Sequence, residues 1–251
     1  ATLGPSGTFS EKATQTFINS INEKSNMMLL GSINQVLRAV GDSCQYAVLP
    51  IENLSEGYIS LVLDHLINTN LTIIAEIQLS IKFSFVSDVS DLDQVKKVYV
   101  QYVSKSQCVE FLEDMNGAKI ETTESNIESL NKVLSERGAT GAIVPSGSFD
   151  RFGFHLVKDD VHDFENNQTR FVVLTDEATN SKNDAKAYKT SIIVLADNDC
   201  PGLLVKILSS LSDRKINITS IISRPSRLEF GRYHFFIDFE GHVNDINVSQ
   251  A

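Results

Sequence analysis

The stretch from Thr72 to Val86 constrains the fold more than any other part of the chain. Ile77, Leu79, Ile81, Phe83 and Phe85 alternate with polar residues, the period of a long strand with one buried face. The flanking sequence has a different rhythm, with short apolar runs separated by segments of helical period. Before it, Thr2-Leu3, Met27 to Leu30 and Tyr46 to Pro50 read as strands. The helices between them carry Ala13, Phe17 and Ile18, then Ile33, Val36, Leu37 and Val40, then Ile59, Val62, Leu63 and Leu66. After it, Val98 to Val103, the region of Ile120 and Gly141 to Val144 read as strands, with helices over Ser104–Asp114 and through Ile127, Leu130, Val133 and Leu134. Such alternation implies an α/β architecture. A long strand in its middle can carry the chain from one lobe to a second, which predicts crossings near residues 76 and 169 and a cleft between the lobes, a default place for a ligand.

Thr175 to Tyr188 is polar and aperiodic and reads as a linker. A small domain follows, with a strand over Ser191–Ala196 and Pro201-Gly202 opening a helix through Leu203, Leu204, Ile207, Leu208 and Leu211. Further strands are expected over Asn217–Ile222 and Tyr233–Phe239. This βαββ order is most of a ferredoxin-like module, which lacks a last helix and strand where the sequence stops.

The net charge of -10 argues against nucleic acid or an anionic membrane as partner. An anionic small molecule is still compatible, because helix N-termini and a few arginines make local positive sites. Cys44, Cys108 and Cys200 have neither metal-ligand nor disulfide spacing, so the expectation is no metal and a reducing, cytoplasmic setting. Cys108 is expected to be a small core residue. No apolar run is long enough to span a bilayer and no signal peptide is visible.

Three polar stretches stand out. Gly4-Pro5-Ser6-Gly7-Thr8-Phe9-Ser10-Glu11 is a strand-to-helix turn with Ser10 as the expected N-cap, and its free backbone N–H groups suit a carboxylate or phosphate. It is neither a dinucleotide fingerprint nor a P-loop. Pro50 to Gly57 is a second glycine-closed turn, placing Asn53, Ser55 and Glu56 at the carboxyl end of a strand, where open α/β sheets bind ligands. Asn166 to Phe171 leads into Val172-Val173-Leu174. The last strand to enter an α/β sheet often lands beside the first ones, which would set Thr169 and Arg170 against residues far earlier.

Taken together these stretches resemble the bacterial prephenate dehydratases, over essentially the whole chain. The first is similar to the family's GPxGTFSE opening, Pro50-Ile51-Glu52-Asn53 to its PIEN motif and Thr169-Arg170-Phe171 to its TRF signature. The resemblance implies a catalytic domain over 1–177, similar to a type II periplasmic-binding-protein fold, with one lobe over about 1–75 and 169–177 and the other over about 76–168. A linker at 178–189 and an ACT regulatory domain at 190–251, incomplete at its C-terminus, would follow. It implies loss of water and CO2 from prephenate to give phenylpyruvate, without metal or organic cofactor. Thr169 would meet the leaving hydroxyl, and Thr8, Ser10, Asn53, Gln107, Ser125 and Arg170 would contact substrate, Arg170 either pairing with an anion or bracing the hinge. Gly202 and Leu203 with Ser223, Arg224 and Pro225 match the two effector motifs of ACT domains, which implies control by phenylalanine and a homodimer or homotetramer.

The sequence departs from the family pattern at Leu54, at Val100 to Val103, at Asn126 and at Ile222, which stands where the effector motif has glutamate. Two other functions fit the residues: dehydration of arogenate, and binding of an aromatic precursor without turnover, since fold does not fix function.

Overall fold

The computed structural model describes residues 1–21, 24–115, 117–177, 187–195, 200–227 and 229–251. The chain divides into two compact units, Ala1–Ile59 with Ala75–Thr175, and Ser60–Ile74 with Asp176–Ala251.

The first unit carries two sheets, while Ser60–Ile74, expected in the first lobe, fall in the second unit. One lobe is built on a mixed sheet in the order β2 (Leu29–Leu30), β1 (Thr2–Leu3), β3 (Ala47–Asn53), β11 (Gln168–Thr175), β5 (Thr72–Ser80), with β4 (Gly57–Tyr58) folded back on β3. β1 runs parallel to β2 and β3, and β11 returns antiparallel to β3. β3 is apolar from Ala47 to Ile51 and β11 from Phe171 to Leu174, as strands covered on both faces are: Leu49, Phe171 and Leu174 are fully buried, each worth about 1.5–3 kcal/mol. Helices α1 (Phe9–Ile21) and α2 (Ile33–Ala39) bury Ala13, Phe17, Val36 and Leu37. Ser32 caps α2, accepting from the Gln35 amide.

The other lobe has a five-stranded sheet in the order β10 (Leu156–Lys158), β6 (Phe83–Ser87), β9 (Thr140–Pro145), β7 (Lys97–Gln101), β8 (Lys119–Thr123). Its helices are α4 (Tyr102–Ser106), α5 (Val109–Asp114) and α6 (Asn126–Glu136). Cys108 is wholly buried in the core with Phe85, Val98 and Leu112, and burial pushes its thiol pKa up to about 12.

Two expectations are corrected, and one strand was not foreseen. Thr72 to Val86 is two strands in different sheets, and the crossing falls at Ile81-Lys82, where the Ile81 amide donates to the Asn167 carbonyl at 2.8 Å. Alternation runs through the break because Ile81 is buried in the next lobe's core. The helix expected over Ser104–Asp114 is two short helices broken at Gln107-Cys108. Finally, the three residues of β10, between polar neighbours, lack any periodic signal.

In the second unit β12 (Lys189–Val194), β14 (Tyr233–Glu240) and β13 (Ile218–Pro225) form an antiparallel sheet with β14 central. Helix α7 (Leu203–Ser212) covers one face, and its Leu211 packs with Ile237 and Phe239. The unit also contains α3 (Ser60–Leu66) and a short α8 (Ile246–Ser249). The linker expected at 178–189 lies mostly outside the described residues, and its last residue already belongs to β12.

Candidate active site

The ends of β3 and β11 bring Asn53 and Thr169 directly opposite each other. Both are buried, and the Asn53 Nδ2 donates to Thr169 Oγ1 at 2.9 Å and to the Gln168 carbonyl at 3.2 Å. The orientation of this amide is fixed from its other side. Asn53 Oδ1 accepts from the Ser55 amide at 2.9 Å, the Ser55 hydroxyl at 2.7 Å and the Glu56 amide at 3.1 Å. Backbone N–H groups are donors only, so the oxygen must face the loop and the nitrogen must face Thr169. With that lone pair occupied, Thr169 is left to donate its own O–H.

Asn53 was expected in a turn, yet β3 runs through it, and the turn is the short link to β4. Pro50 sits inside the strand, where it cannot donate to the ladder. The β11 register shifts between Arg170 and Phe171, and Phe171 pairs with Pro50 there, so a bulge absorbs the missing donor.

Arg170 is directed away from Thr169 into a network of its own. Its Nε donates to Glu52 at 3.0 Å, one terminal nitrogen to Glu76 at 3.2 Å and the other to the Tyr58 hydroxyl at 2.8 Å. These partners come from β3, β5 and β4, so one guanidinium ties three strands of the sheet. Nothing in the sequence singled out Tyr58 or Glu76; only the fold assembles them.

The remaining candidates are divided between the two lobes. Thr8, not Ser10, precedes α1: its hydroxyl accepts from the Glu11 amide at 3.4 Å, while the Glu11 carboxylate turns back to the Ser6 hydroxyl and the Gly7 amide, one residue before the cap. Ser10 lies inside the first turn, because Gly7 at φ +83° ends the loop two residues earlier than its polarity suggested. From the other lobe, Gln107 ends α4, and its Oε1 accepts from Asn167 Nδ2 at 3.0 Å. Ser125 caps α6, accepting from the Glu128 amide at 3.1 Å, which still leaves its O–H to donate.

Among the described residues, contacts between the lobes include an aromatic pair, a hydrogen bond and a close approach at Gly7. The rings of Phe9 and Phe83 pack edge to face at 5.7 Å, and the Ser106 hydroxyl donates to Glu56 at 2.8 Å. A Cβ on Gly7 would lie 2.4 Å from Ile127 Cδ1, so a side chain there would force Ile127 to move.

In the second unit, Gly202 at φ +86° opens α7 and Leu203 is its first residue. Ser223, Arg224 and Pro225 close β13. Arg224 lies opposite His234, on the sheet face away from Ile237 and α7. Its guanidinium grips Asp64 of α3 with two hydrogen bonds of 2.8 Å, and Arg227 adds a third. This ion pair holds the Asp64 carboxyl below the usual range and raises the Arg224 pKa. Asp64 carried no motif and was not foreseen.

A two-lobed α/β unit with a hydroxyl held between paired strand ends, followed by a βαββ module, defines a small-molecule enzyme with an appended ferredoxin-like domain. Residues 1–179 match the prephenate dehydratase family and 190–250 the ACT domain, and the chain belongs to the prephenate dehydratase family. A prephenate dehydratase of Methanocaldococcus jannaschii is 32% identical over 240 residues, 95% of this chain and 86% of that protein. The crystal structure of the Arthrobacter aurescens enzyme in complex with L-Phe matches with a TM-score of 0.86 at 26% identity, covering 99% of this chain and 82% of that one. The enzyme from Staphylococcus aureus subsp. aureus Mu50 matches at 0.83 and 28% identity, covering 99% of this chain and 91% of that one. Among the described residues no helix is long and apolar enough to cross a membrane.

Proposed function

We propose that this chain converts prephenate to phenylpyruvate with Thr169 as the hydrogen-bond donor to the leaving hydroxyl. The observation that carries this role is the Asn53–Thr169 pair, in which a loop-locked amide occupies the threonine oxygen from behind. The C–C bond to the departing carboxylate breaks to release CO2. Its electron pair moves through the ring as the C–O bond opens, and the hydroxide leaves as water after taking one proton. Aromatisation supplies the driving force, so the protein has to hold the carboxylates and steady the departing oxygen. The α1 N-terminus with Thr8 and Ser10 suits one carboxylate. Gln107 and Ser125, on the facing lobe, have donors suited to the other. Arg170 is a brace in this reading, since its fork is engaged by Glu52, Glu76 and Tyr58.

The test is phenylpyruvate formation, read as enolate absorbance in base. Thr169→Val, which keeps the shape and removes the O–H, is expected to lower kcat by about 100-fold or more, the scale for losing a donor aimed at developing charge. Near-full activity in that variant with an active parent would refute the role. Comparing rates on prephenate and arogenate decides substrate preference.

Control by phenylalanine is the corresponding reading for the ACT domain, supported by the match over 190–250 and by the Arthrobacter aurescens structure with L-Phe. It assigns the effector to Gly202 and Leu203 with Ser223, Arg224 and Pro225. β13 is an edge strand with Ile221 exposed, a surface suited to edge-to-edge pairing of two copies. Turnover with and without phenylalanine, alongside light scattering, tests both; an indifferent monomer at micromolar concentration would reject them.

A further inference from the structure

We infer that Asn167 is a positioning residue that sets the hydrogen-bonding polarity of Gln107 toward the substrate; this rests on the reading of Gln107 as a substrate contact. Asn167 is 2% exposed and Gln107 3%. Their side chains meet amide to amide, Asn167 Nδ2 donating to Gln107 Oε1 at 3.0 Å. That bond turns the acceptor end of Gln107 toward Asn167 and leaves its Nε2, the donor end, for another group. A dicarboxylate needs donors, so the pairing presents the useful half of the amide.

Backbone hydrogen bonds hold both partners firmly. The Gln107 carbonyl accepts from the Asp163 amide at 2.8 Å, and the Asn167 carbonyl accepts from the Ile81 amide at 2.8 Å, at the crossing between the lobes. The Asp163 carboxylate in turn caps α5 through the Val109 and Glu110 amides at 2.7 and 3.1 Å. Asn167 is thus fixed between Gln107 on one lobe and Thr169, two residues along, on the other. Its own Oδ1 is buried with no hydrogen-bond partner, an unfavourable arrangement that an alanine would avoid. Keeping an asparagine there is explained if its N–H is needed by Gln107.

Asn167→Asp tests the polarity. A carboxylate cannot donate to Gln107 Oε1, so the glutamine turns over, gives its Nε2 to the aspartate and presents oxygen to the substrate. Losing a charge-assisted donor predicts a KM for prephenate raised about 10-fold or more, with kcat changed much less. Asn167→Ala frees the glutamine without reversing it and should raise KM by about 3-fold; it also carries the test if the aspartate variant does not fold. In a Gln107→Ala background both substitutions should alter KM less than about 2-fold, because the residue they act through is gone. Additive effects in that background, or a parental KM in Asn167→Asp, would overturn the inference. If Gln107→Ala alone leaves KM unchanged, the reading of Gln107 as a substrate contact fails. A raised KM in Asn167→Asp would then mean that Asn167 acts by another route.

Discussion

Arg170 and Arg224 both come from motifs expected to meet an anion, and each already holds carboxylates of its own chain. Around Arg170 one guanidinium serves two carboxylates, Glu52 and Glu76, and a phenol, Tyr58; its side chain is only 10% exposed. Around Asp64 the ratio is inverted, with one carboxylate serving two guanidiniums, Arg224 and Arg227, the latter 72% exposed. The first knot has its cation fully engaged and acts as a structural clamp on the sheet that carries Thr169. The second has cationic charge to spare at the end of β13, where the effector motif lies. A basic residue in a ligand-binding motif therefore reveals little by itself; the count of carboxylates around it separates brace from anion site.

Breaking the first knot should have the largest effect. Arg170→Met preserves the aliphatic stem but leaves Glu52 and Glu76, 30% and 27% exposed, without their bridging cation. Removing one partner of a largely buried ion network costs about 3 kcal/mol, a fall in Tm on the order of 10 °C for a unit of this size. Arg170→Lys should recover little of it, because one ammonium cannot reach three partners in fork geometry. Thermal unfolding followed by circular dichroism checks this. If Arg170→Met melted like the parent but bound prephenate poorly, Arg170 would be a ligand contact and the contrast with Arg224 would collapse.

What the sequence revealed divides along the same line. Asn53 and Thr169 were legible because each sits in a local motif at a strand end, and strand order brings such ends together. Capping at Ser32 and Ser125 is local too, each hydroxyl accepting from an amide three residues on, although Ser125 was expected only as a substrate contact. The partners of the two arginines do not: Glu76 lies 94 positions from Arg170, and Asp64 lies 160 from Arg224, so neither spacing nor periodicity links them. The sheet change at Ile81-Lys82 was hidden for another reason, since period-2 alternation reports only which face is buried and not which core buries it. The Thr8 cap was missed because two hydroxyl residues flank Phe9, and only the backbone at Gly7 decides between them.

Opening the second knot should cost less. Asp64→Asn keeps the shape and removes the charge gripped by Arg224 and Arg227. A loss of about 1–2 kcal/mol is expected for a partly exposed charge-assisted pair. The variant also predicts a change in acid sensitivity. The Asp64 pKa is lowered by Arg224 and Arg227, so its contribution to stability is complete above the ordinary carboxylate value near 4 and lost as pH falls through the lower folded value. Urea midpoints should therefore show the parent's advantage over Asp64→Asn at pH 7 and pH 5, shrinking below about pH 4. An advantage independent of pH would mean that the pair contributes by packing alone.

The smallest effect belongs to Arg227, where charge and backbone pull in opposite directions. Its guanidinium is mostly exposed and adds a third contact to an aspartate that Arg224 already satisfies, so removing it should cost under about 0.5 kcal/mol. Its backbone, however, lies at φ +63°, a region that disfavours residues with a Cβ. Arg227→Ala loses the ion pair and keeps the strain, while Arg227→Gly loses the ion pair and relieves it. The glycine variant should therefore melt at or slightly above the alanine variant, despite the greater entropy of an unfolded glycine. High salt should shrink the gap between parent and alanine, which is electrostatic, and leave the gap between alanine and glycine unchanged, which is conformational. Equal salt dependence of both gaps would show that Arg227 is ordered by its charge, and the Asp64 cluster would then be a clamp like that of Arg170 rather than a site with cation to spare.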